Sequence, residues 1–145
     1  MSSVIGFDYG ERRIGVAVGL LEIGTANPLT TICVPASGIP WDEIHAIIQE
    51  WKPSKLIVGC IDHNTHNDNG LQNKIKKFCE KLYLHYQIPV ETTDESYTSV
   101  HAYEILKEMR SKGQRKKIKK VDIDKASAAI ILNSWLTSNS NHNHA

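Results

Sequence analysis

The first third of the chain alternates short apolar runs with brief polar turns. The mainly apolar runs cover residues 4–8, 14–21 and approximately 29–34, and a short segment containing glycine or proline follows each of them. Runs of this length, joined by short turns, are typical of β-strands connected as hairpins. The pattern therefore predicts three consecutive antiparallel strands at the start of the chain.

The rest of the chain combines helical spacing with two short segments that resemble strands. Residues 41–51 follow Pro40 and repeat isoleucine at the spacing of one helix face, until Pro53 ends the pattern. Helical patterns recur over 71–82, 98–109 and 122–136. Residues 55–61 form a continuous apolar run that predicts a buried strand, and residues 88–93 predict a further short strand. The second part of the chain is thus predicted to alternate helices and strands.

This order of elements limits the fold. The first three strands pair as hairpins, whereas each later strand returns through a helix and must pair in parallel. The sequence predicts an α/β fold with a mixed five-stranded sheet, three antiparallel strands and then two parallel ones, flanked by helices. We expect one domain over residues 1–137, and a disordered tail over 138–145 because that segment is rich in Ser, Asn and His.

Composition limits the size and the location. At 145 residues the chain is long enough for one domain with its own core, and a formal charge of +1 is ordinary for a globular protein. No apolar stretch approaches the roughly 20 residues that a membrane span needs, and no signal peptide is recognised. Cys33, Cys60 and Cys79 form no Cys-x-x-Cys pair, so we expect reduced, mostly buried thiols in a cytoplasmic protein.

The small net charge hides a local asymmetry. Residues 110–120 contain seven Lys or Arg and no acid, whereas the rest of the chain has 16 acids and 10 bases. A block of this kind is usually a solvated loop. It is also how a nuclease would hold a polyanion beside an acidic site, so both interpretations stay open.

Three carboxylates interrupt otherwise apolar elements. Asp8 ends the first strand, Glu95 follows the last strand, and Asp124 lies on the apolar side of the last helix. Each alone has an ordinary interpretation, as a turn acceptor or as an acid in the first turn of a helix. If they converge, they cannot all stay ionised without cations, and their oxygen atoms favour Mg²⁺ or Mn²⁺. Two such ions would leave a surplus of positive charge that suits a phosphodiester.

Four segments resemble the motifs of one family, in that family's order. Residues 8–17 match the Asp-x-Gly-x-x-x-Ile-Gly-Val-Ala opening of the YqgF/RuvX family, and residues 56–59 resemble its central strand. Residues 94–99 resemble its Asp-Glu-Arg-x-Ser/Thr-Thr motif, and residues 124–128 resemble its Asp-x-x-(Ser)-Ala helix. The similarity spans roughly residues 4–136.

The resemblance implies an RNase H-like fold and a divalent-metal-dependent nuclease. It implies that Asp8, Glu95 and Asp124 are the catalytic residues and hold Mg²⁺ or Mn²⁺, with two ions expected. The implied substrate is the 5′ end of pre-16S ribosomal RNA, in ribosome biogenesis. The family is also described as Holliday-junction resolvases, so a four-way DNA junction is the alternative substrate. Cutting a symmetric junction would require a two-fold dimer, so either a monomer or a homodimer is expected.

Candidate contacts to the nucleic acid come from two places. Arg13 and Gly10 adjoin Asp8, and a backbone without a Cβ lets a phosphate approach closely. The basic block supplies Lys112, Arg115, Lys116, Lys117 and Lys119. The chain departs from the family at Ser96, where the family has arginine. Arg12, Arg13 or the basic block would have to supply that cation.

Residues 60–68 also differ from the family and contain His63 and His66. These side chains could bind a metal ion, but no third ligand lies in reach along the sequence. The glycine and the glutamate of a calcium-binding loop are missing as well. A dedicated metal site is therefore not expected in this loop.

Two other classes of protein fit part of the pattern. The Asp-x-Gly opening also begins the nucleotide-binding fold of sugar kinases and actin-like ATPases, but those proteins bind ATP between two such domains. The second class is a non-catalytic nucleic-acid-binding module that kept the fold, which Ser96 leaves open. The three acids argue against this module, because buried carboxylates without a role destabilise a protein.

Overall fold

The computed structural model describes residues 2–59, 69–93 and 120–143. Within these ranges the strands are β1 (Ser3–Asp8), β2 (Arg13–Leu20), β3 (Thr25–Cys33), β4 (Lys55–Gly59) and β5 (Val90–Thr92). The helices are α1 (Trp41–Trp51), α2 (Asn69–Tyr86) and α3 (Lys120–Asn143). The helix predicted over 98–109, the loop 60–68 and the basic block up to residue 119 lie outside the described residues.

The strands form one mixed sheet in the order β3-β2-β1-β4-β5. β1 pairs with β2, and β2 with β3, in antiparallel register, whereas β4 pairs in parallel with both β1 and β5. This arrangement confirms the predicted mixed sheet of five strands. Because β1, β4 and β5 run in the same direction, their last residues, Asp8, Gly59 and Thr92, lie at one edge of the sheet. We name it the carboxyl edge.

The two faces of the sheet carry different layers because side chains alternate along each strand. One face packs against α1 and α2 around Phe78, whose ring centre lies 5.6 Å from that of Phe7 and 5.2 Å from that of Tyr9. The opposite face, which includes Ala17 and Ile57, packs against α3. Among the described helices, α3 is therefore the one that covers the face of the sheet on which Asp124 lies.

Helix α3 lies close against the sheet because small residues form both surfaces. Gly6 and Gly15 face it from the strands, and Ala126, Ala128 and Ala129 are buried on the helix. A Cβ placed on Gly15 would overlap the backbone oxygen of α3 at residue 124. The contact at this point is therefore between two backbones, and it holds the start of α3 directly on β2.

A second contact ties α3 to the other end of the sheet. The Lys55 ammonium pairs with the Glu91 carboxylate and lies 5.3 Å from the ring centre of Trp135. Trp135 also donates from Nε1 to Glu91 at 3.5 Å. The hydrogen bond from Lys55 holds the pKa of Glu91 below its usual range. Because Lys55 and Glu91 are partly exposed, this cluster orients the helix more than it stabilises the fold.

Strand β3 begins at Thr25, earlier than the predicted start at residue 29. Pro28 lies inside it and cannot donate a hydrogen bond to a neighbouring strand. Because β3 is an edge strand, the proline is tolerated, and the pairing register shifts between Val16 and Ala17 at this point. The sequence predicts a buried Cys33, whereas the residue is exposed because it ends this edge strand.

Helix α3 continues to Asn143, whereas the sequence predicts its end at Leu136 and a disordered tail from residue 138. No glycine or proline follows Leu136, so no residue in that segment stops the helical backbone. Leu136 is buried and ends the apolar face of the helix. Although α3 has 24 residues, none of the described helices combines the length and apolar character that crossing a membrane requires.

Candidate active site

Asp8 lies at the carboxyl edge and is only 5% exposed. Its register partners are Gly15 on β2 and Gly59 on β4. Register partners in neighbouring strands share a face of the sheet. Since Gly15 faces α3, the Asp8 side chain lies on the α3 face as well, between two strand positions that carry no side chain.

Asp124 reaches the same place from α3 and is 9% exposed. Its backbone oxygen is the atom that a Cβ on Gly15 would overlap, and Gly15 lies opposite Asp8 in the strand pair. Asp8 and Asp124 are therefore neighbours on one side of β1 and β2, although they lie far apart in the sequence.

Arg13 places a positive charge on Asp124. Its Nε donates to Oδ2 of Asp124 at 2.6 Å, and the two side chains are 33% and 12% exposed. Arg13 is the first residue of β2 and faces α3, as Gly15 does. This ion pair offsets part of the repulsion that two neighbouring carboxylates would otherwise feel.

Glu95, the third predicted carboxylate, lies outside the described residues. The described chain does reach the carboxyl edge shortly before it. The Thr93 N–H donates to the backbone oxygen of Val58 at 3.0 Å, and the Thr93 side chain occupies the space that a Cβ on Gly59 would need. Because Gly59 pairs with Asp8, the last described residue of this segment lies at the same edge as the candidate site.

Gly10 shapes the turn between β1 and β2. A Cβ there would overlap the backbone oxygen of Arg13, so the turn itself requires a glycine. Beside it, Glu11 pairs with Lys74 of α2 at 3.1 Å. This contact brings α2 to the carboxyl edge. Binding of nucleic acid by Gly10 stays a prediction.

The donors at this edge suit a hard divalent cation. Asp8 and Asp124 supply carboxylate oxygens, which Mg²⁺ and Mn²⁺ prefer, and both residues are at least nine-tenths buried. Across residues 2–59, 69–93 and 120–143, no group of three or more His, Cys, Asp or Glu side chains comes together. A complete site would therefore need a further ligand, and Glu95 is the one that the sequence predicts.

The structure brings together three of the predicted site residues, Asp8, Arg13 and Asp124. Glu95 and the basic-block residues Lys112, Arg115, Lys116, Lys117 and Lys119 lie outside the described residues. The pairing of Arg13 with Asp124 was not predicted, because the two residues belong to elements whose packing the sequence does not reveal. The sequence does contain one signal for this pairing. Residues two positions apart in a strand point to the same face, so Arg13 lies on the same face of β2 as Gly15.

Several solved structures that share this fold are resolvases. The chain matches RuvC of T. thermophilus in complex with a Holliday junction with a TM-score of 0.57, at 19% identity, covering 95% of this chain and 96% of that one. The yeast mitochondrial Holliday junction resolvase Ydc2 matches with a TM-score of 0.62, at 11% identity, covering 99% and 81%. At these identities the likeness shows the fold alone, and that fold is the RNase H-like fold of RuvC-type resolvases.

Sequence similarity identifies the particular family. The family model described as RuvX, Holliday junction resolvase, matches residues 2–138. A protein from Legionella pneumophila (strain Lens) is 38% identical over 136 residues, covering 91% of this chain and 93% of that protein. One from Methylobacillus flagellatus is 35% identical over 132 residues, covering 91% and 88%. Both carry the name "Putative pre-16S rRNA nuclease". The chain belongs to the RuvX family.

Proposed function

We propose that this protein is a divalent-metal-dependent nuclease that processes the 5′ end of precursor 16S rRNA in the cytoplasm. The observation that carries the proposal is the convergence of buried Asp8 and Asp124 at the carboxyl edge. Two neighbouring buried carboxylates are unfavourable unless cations accompany them, so their presence is explained by a function that binds cations. The family and the named relatives supply the class of substrate.

Asp8, Glu95 and Asp124 are the proposed ligands of Mg²⁺ or Mn²⁺, and two ions are expected. When bound, such ions activate water and stabilise the charge that develops on the phosphate oxygens. The chain's own residues orient the ligands. The backbone contact at Gly15 sets the position of α3, and Arg13 holds one oxygen of the Asp124 carboxylate. A ligand whose second oxygen is hydrogen-bonded keeps its orientation when a metal arrives.

The proposed contacts to the nucleic acid are Arg13, Gly10 and the basic block (Lys112, Arg115, Lys116, Lys117 and Lys119). A four-way DNA junction is the second candidate substrate, and the description of the family favours it. A monomer would suffice for an RNA end, whereas a symmetric junction would need a homodimer.

Incubation with two labelled substrates tests the proposal. We expect the purified protein to shorten precursor 16S rRNA at its 5′ end in Mn²⁺, and EDTA to abolish this cleavage. A four-way DNA junction is tested in parallel, with the products resolved by size. Cleavage of the junction alone would favour the second candidate. Binding of RNA without cleavage in any divalent metal would instead indicate a non-catalytic module, and saturable ATP binding would indicate a nucleotide-binding protein.

Arg13→Gln is expected to destabilise the metal-free protein and to enlarge the stabilisation that Mn²⁺ provides. The guanidinium offsets the charge of Asp124, so its loss leaves a mostly buried carboxylate without this partner until a metal ion binds. We expect the free energy of unfolding without metal to fall by about 1–2 kcal/mol. Thermal unfolding in EDTA and in Mn²⁺ measures both effects.

Arg12→Gln is the matched control for this variant, because Arg12 is the exposed neighbour of Arg13. It should leave both melting curves unchanged. If metal-free Arg13→Gln melts with the parent, the ion pair does not have the compensating role assigned to it.

A further inference from the structure

Helix α2 carries a row of lysines on one side. Lys74, Lys77 and Lys81 follow each other at i, i+3 and i+7, a spacing that places them on one side of a helix over about 10 Å. All three side chains are exposed. We name these three residues the α2 lysine row.

The row begins at the carboxyl edge, on the face of the sheet opposite to that of Asp8 and Asp124. Nζ of Lys74 lies 3.1 Å from Oε1 of Glu11, in the turn that follows β1 and therefore Asp8. Lys77 and Lys81 lie progressively farther along α2 from this contact. The row thus extends a line of positive charge away from the carboxyl edge.

Acidic residues of α1 limit the α2 lysine row at its Lys81 end. The ring of His85, in the last turn of α2, lies 4.6 Å from the ring of Trp41, the first residue of α1. Acidic residues Asp42 and Glu43 occupy the first turn of α1. A polyanion that follows the row would therefore meet negative charge after Lys81, which limits the contact to a few phosphates.

The second and third lysines are available to a ligand. In the part of the chain that the structure describes, neither Lys77 nor Lys81 forms an ion pair with a carboxylate. Glu80 follows Lys77 at i+3 on the same helix, but the two side chains form no ion pair in the described part of the chain. Lys76 is also exposed, but it is turned about 100° away from Lys77 and lies outside the row.

We propose that the α2 lysine row binds the phosphate backbone of the RNA strand that runs past the candidate active site. This inference rests on the proposed nuclease function and deepens it by naming a surface that positions the substrate. Lysines spaced along a helix neutralise phosphates without reading base edges, so the contact is independent of sequence. The acidic first turn of α1 makes the row an electrostatic guide of defined length.

The dependence of RNA binding on salt tests the row. Binding of a labelled single-stranded RNA is measured in EDTA, where no cleavage occurs, over a range of KCl concentrations. Each lysine that neutralises a phosphate contributes about 0.7 to the slope of log affinity against log salt. Lys77→Gln should therefore reduce the slope by about 0.7 and weaken binding about fivefold at 0.1 M salt. Combination with Lys81→Gln should double the change in slope.

Lys76→Gln is the matched control, since it removes the same charge from the adjacent position of the same helix. It should keep the slope of the parent, and all variants should melt at the temperature of the parent. If Lys77→Gln and Lys76→Gln give equal slopes, the row is overturned while the nuclease proposal stands. If the parent binds no RNA in EDTA, the row is overturned, and cleavage in Mn²⁺ decides the nuclease proposal separately. If polyglutamate competes as well as RNA for the row, the surface serves an acidic protein and this inference is wrong.

Discussion

Asp8→Asn is expected to lose metal-dependent cleavage by at least about a hundredfold while the fold is retained. Removing a residue that supports a metal ligand typically lowers metal affinity or activity by about 10- to 100-fold, so removing a ligand itself should cost at least as much. Asparagine has the same shape as aspartate and carries no charge. Since Asp8 and the acidic Asp124 lie on the same face of the β1–β2 pair, we expect the free energy of unfolding to change by less than about 1 kcal/mol.

Initial rates of precursor RNA cleavage in Mn²⁺, together with thermal unfolding in EDTA, measure both parts of this prediction. Glu50→Gln is the matched control, because Glu50 is an exposed acid in the last turn of α1. It should cleave at the rate of the parent. If Asp8→Asn cleaves as fast as Glu50→Gln does, the proposed metal site is not the catalytic one.

Gly15→Ala is expected to have the largest effect on stability of any single methyl group added to the sheet. The new Cβ would overlap the backbone oxygen of Asp124 and lie 3.0 Å from the backbone nitrogen of Lys125, so α3 must move away from β2. Because these atoms belong to the backbone of α3, no change of side-chain rotamer can relieve the overlap. We expect a loss of about 3 kcal/mol in the free energy of unfolding. The displaced Asp124 would also lower cleavage by about a hundredfold.

The variant Gly6→Ala separates the loss of stability from the loss of cleavage. Its Cβ would meet the Cβ of Leu132 at 2.9 Å, which is a milder conflict with the same helix, two turns beyond Asp124. We expect a loss of about 1–2 kcal/mol and a cleavage rate close to that of the parent at a temperature where both are folded. Urea denaturation and initial rates provide the measurements. Equal stability of Gly15→Ala and Gly6→Ala would show that α3 does not rest on Gly15.

Much of the fold could be predicted from local pattern. The start of α1 follows Pro40 as predicted, because proline at a helix entry and acidic residues in the first turn are local signals. The buried run that became β4 was recognisable since its residues are apolar on both faces. Where a prediction differs from the structure, the cause is a neighbouring element of the fold. Pro28 lies inside β3 because that strand occupies an edge of the sheet.

The candidate site likewise combines features that the local sequence predicts with features that depend on neighbouring elements. The sequence singles out Asp8 and Asp124 because each is a carboxylate in an apolar element. The role of Gly15 is not visible in its sequence context, because the backbone that presses on it belongs to α3. The salt bridge between Arg13 and Asp124 likewise depends on the packing of α3, and it ties Arg13, a predicted phosphate contact, to a proposed metal ligand.

The sequence by itself determined the order of strands and helices, the three acidic positions and the resemblance to one family, since these depend on residue type and spacing along the chain. Only the tertiary structure decided that Asp8 and Asp124 share one side of the β1–β2 pair and that Arg13 lies on Asp124. The physical reason is that these relations depend on how closely α3 packs on the sheet. Glycine at position 15 allows two backbones to touch there, and this contact joins residues from opposite ends of the chain.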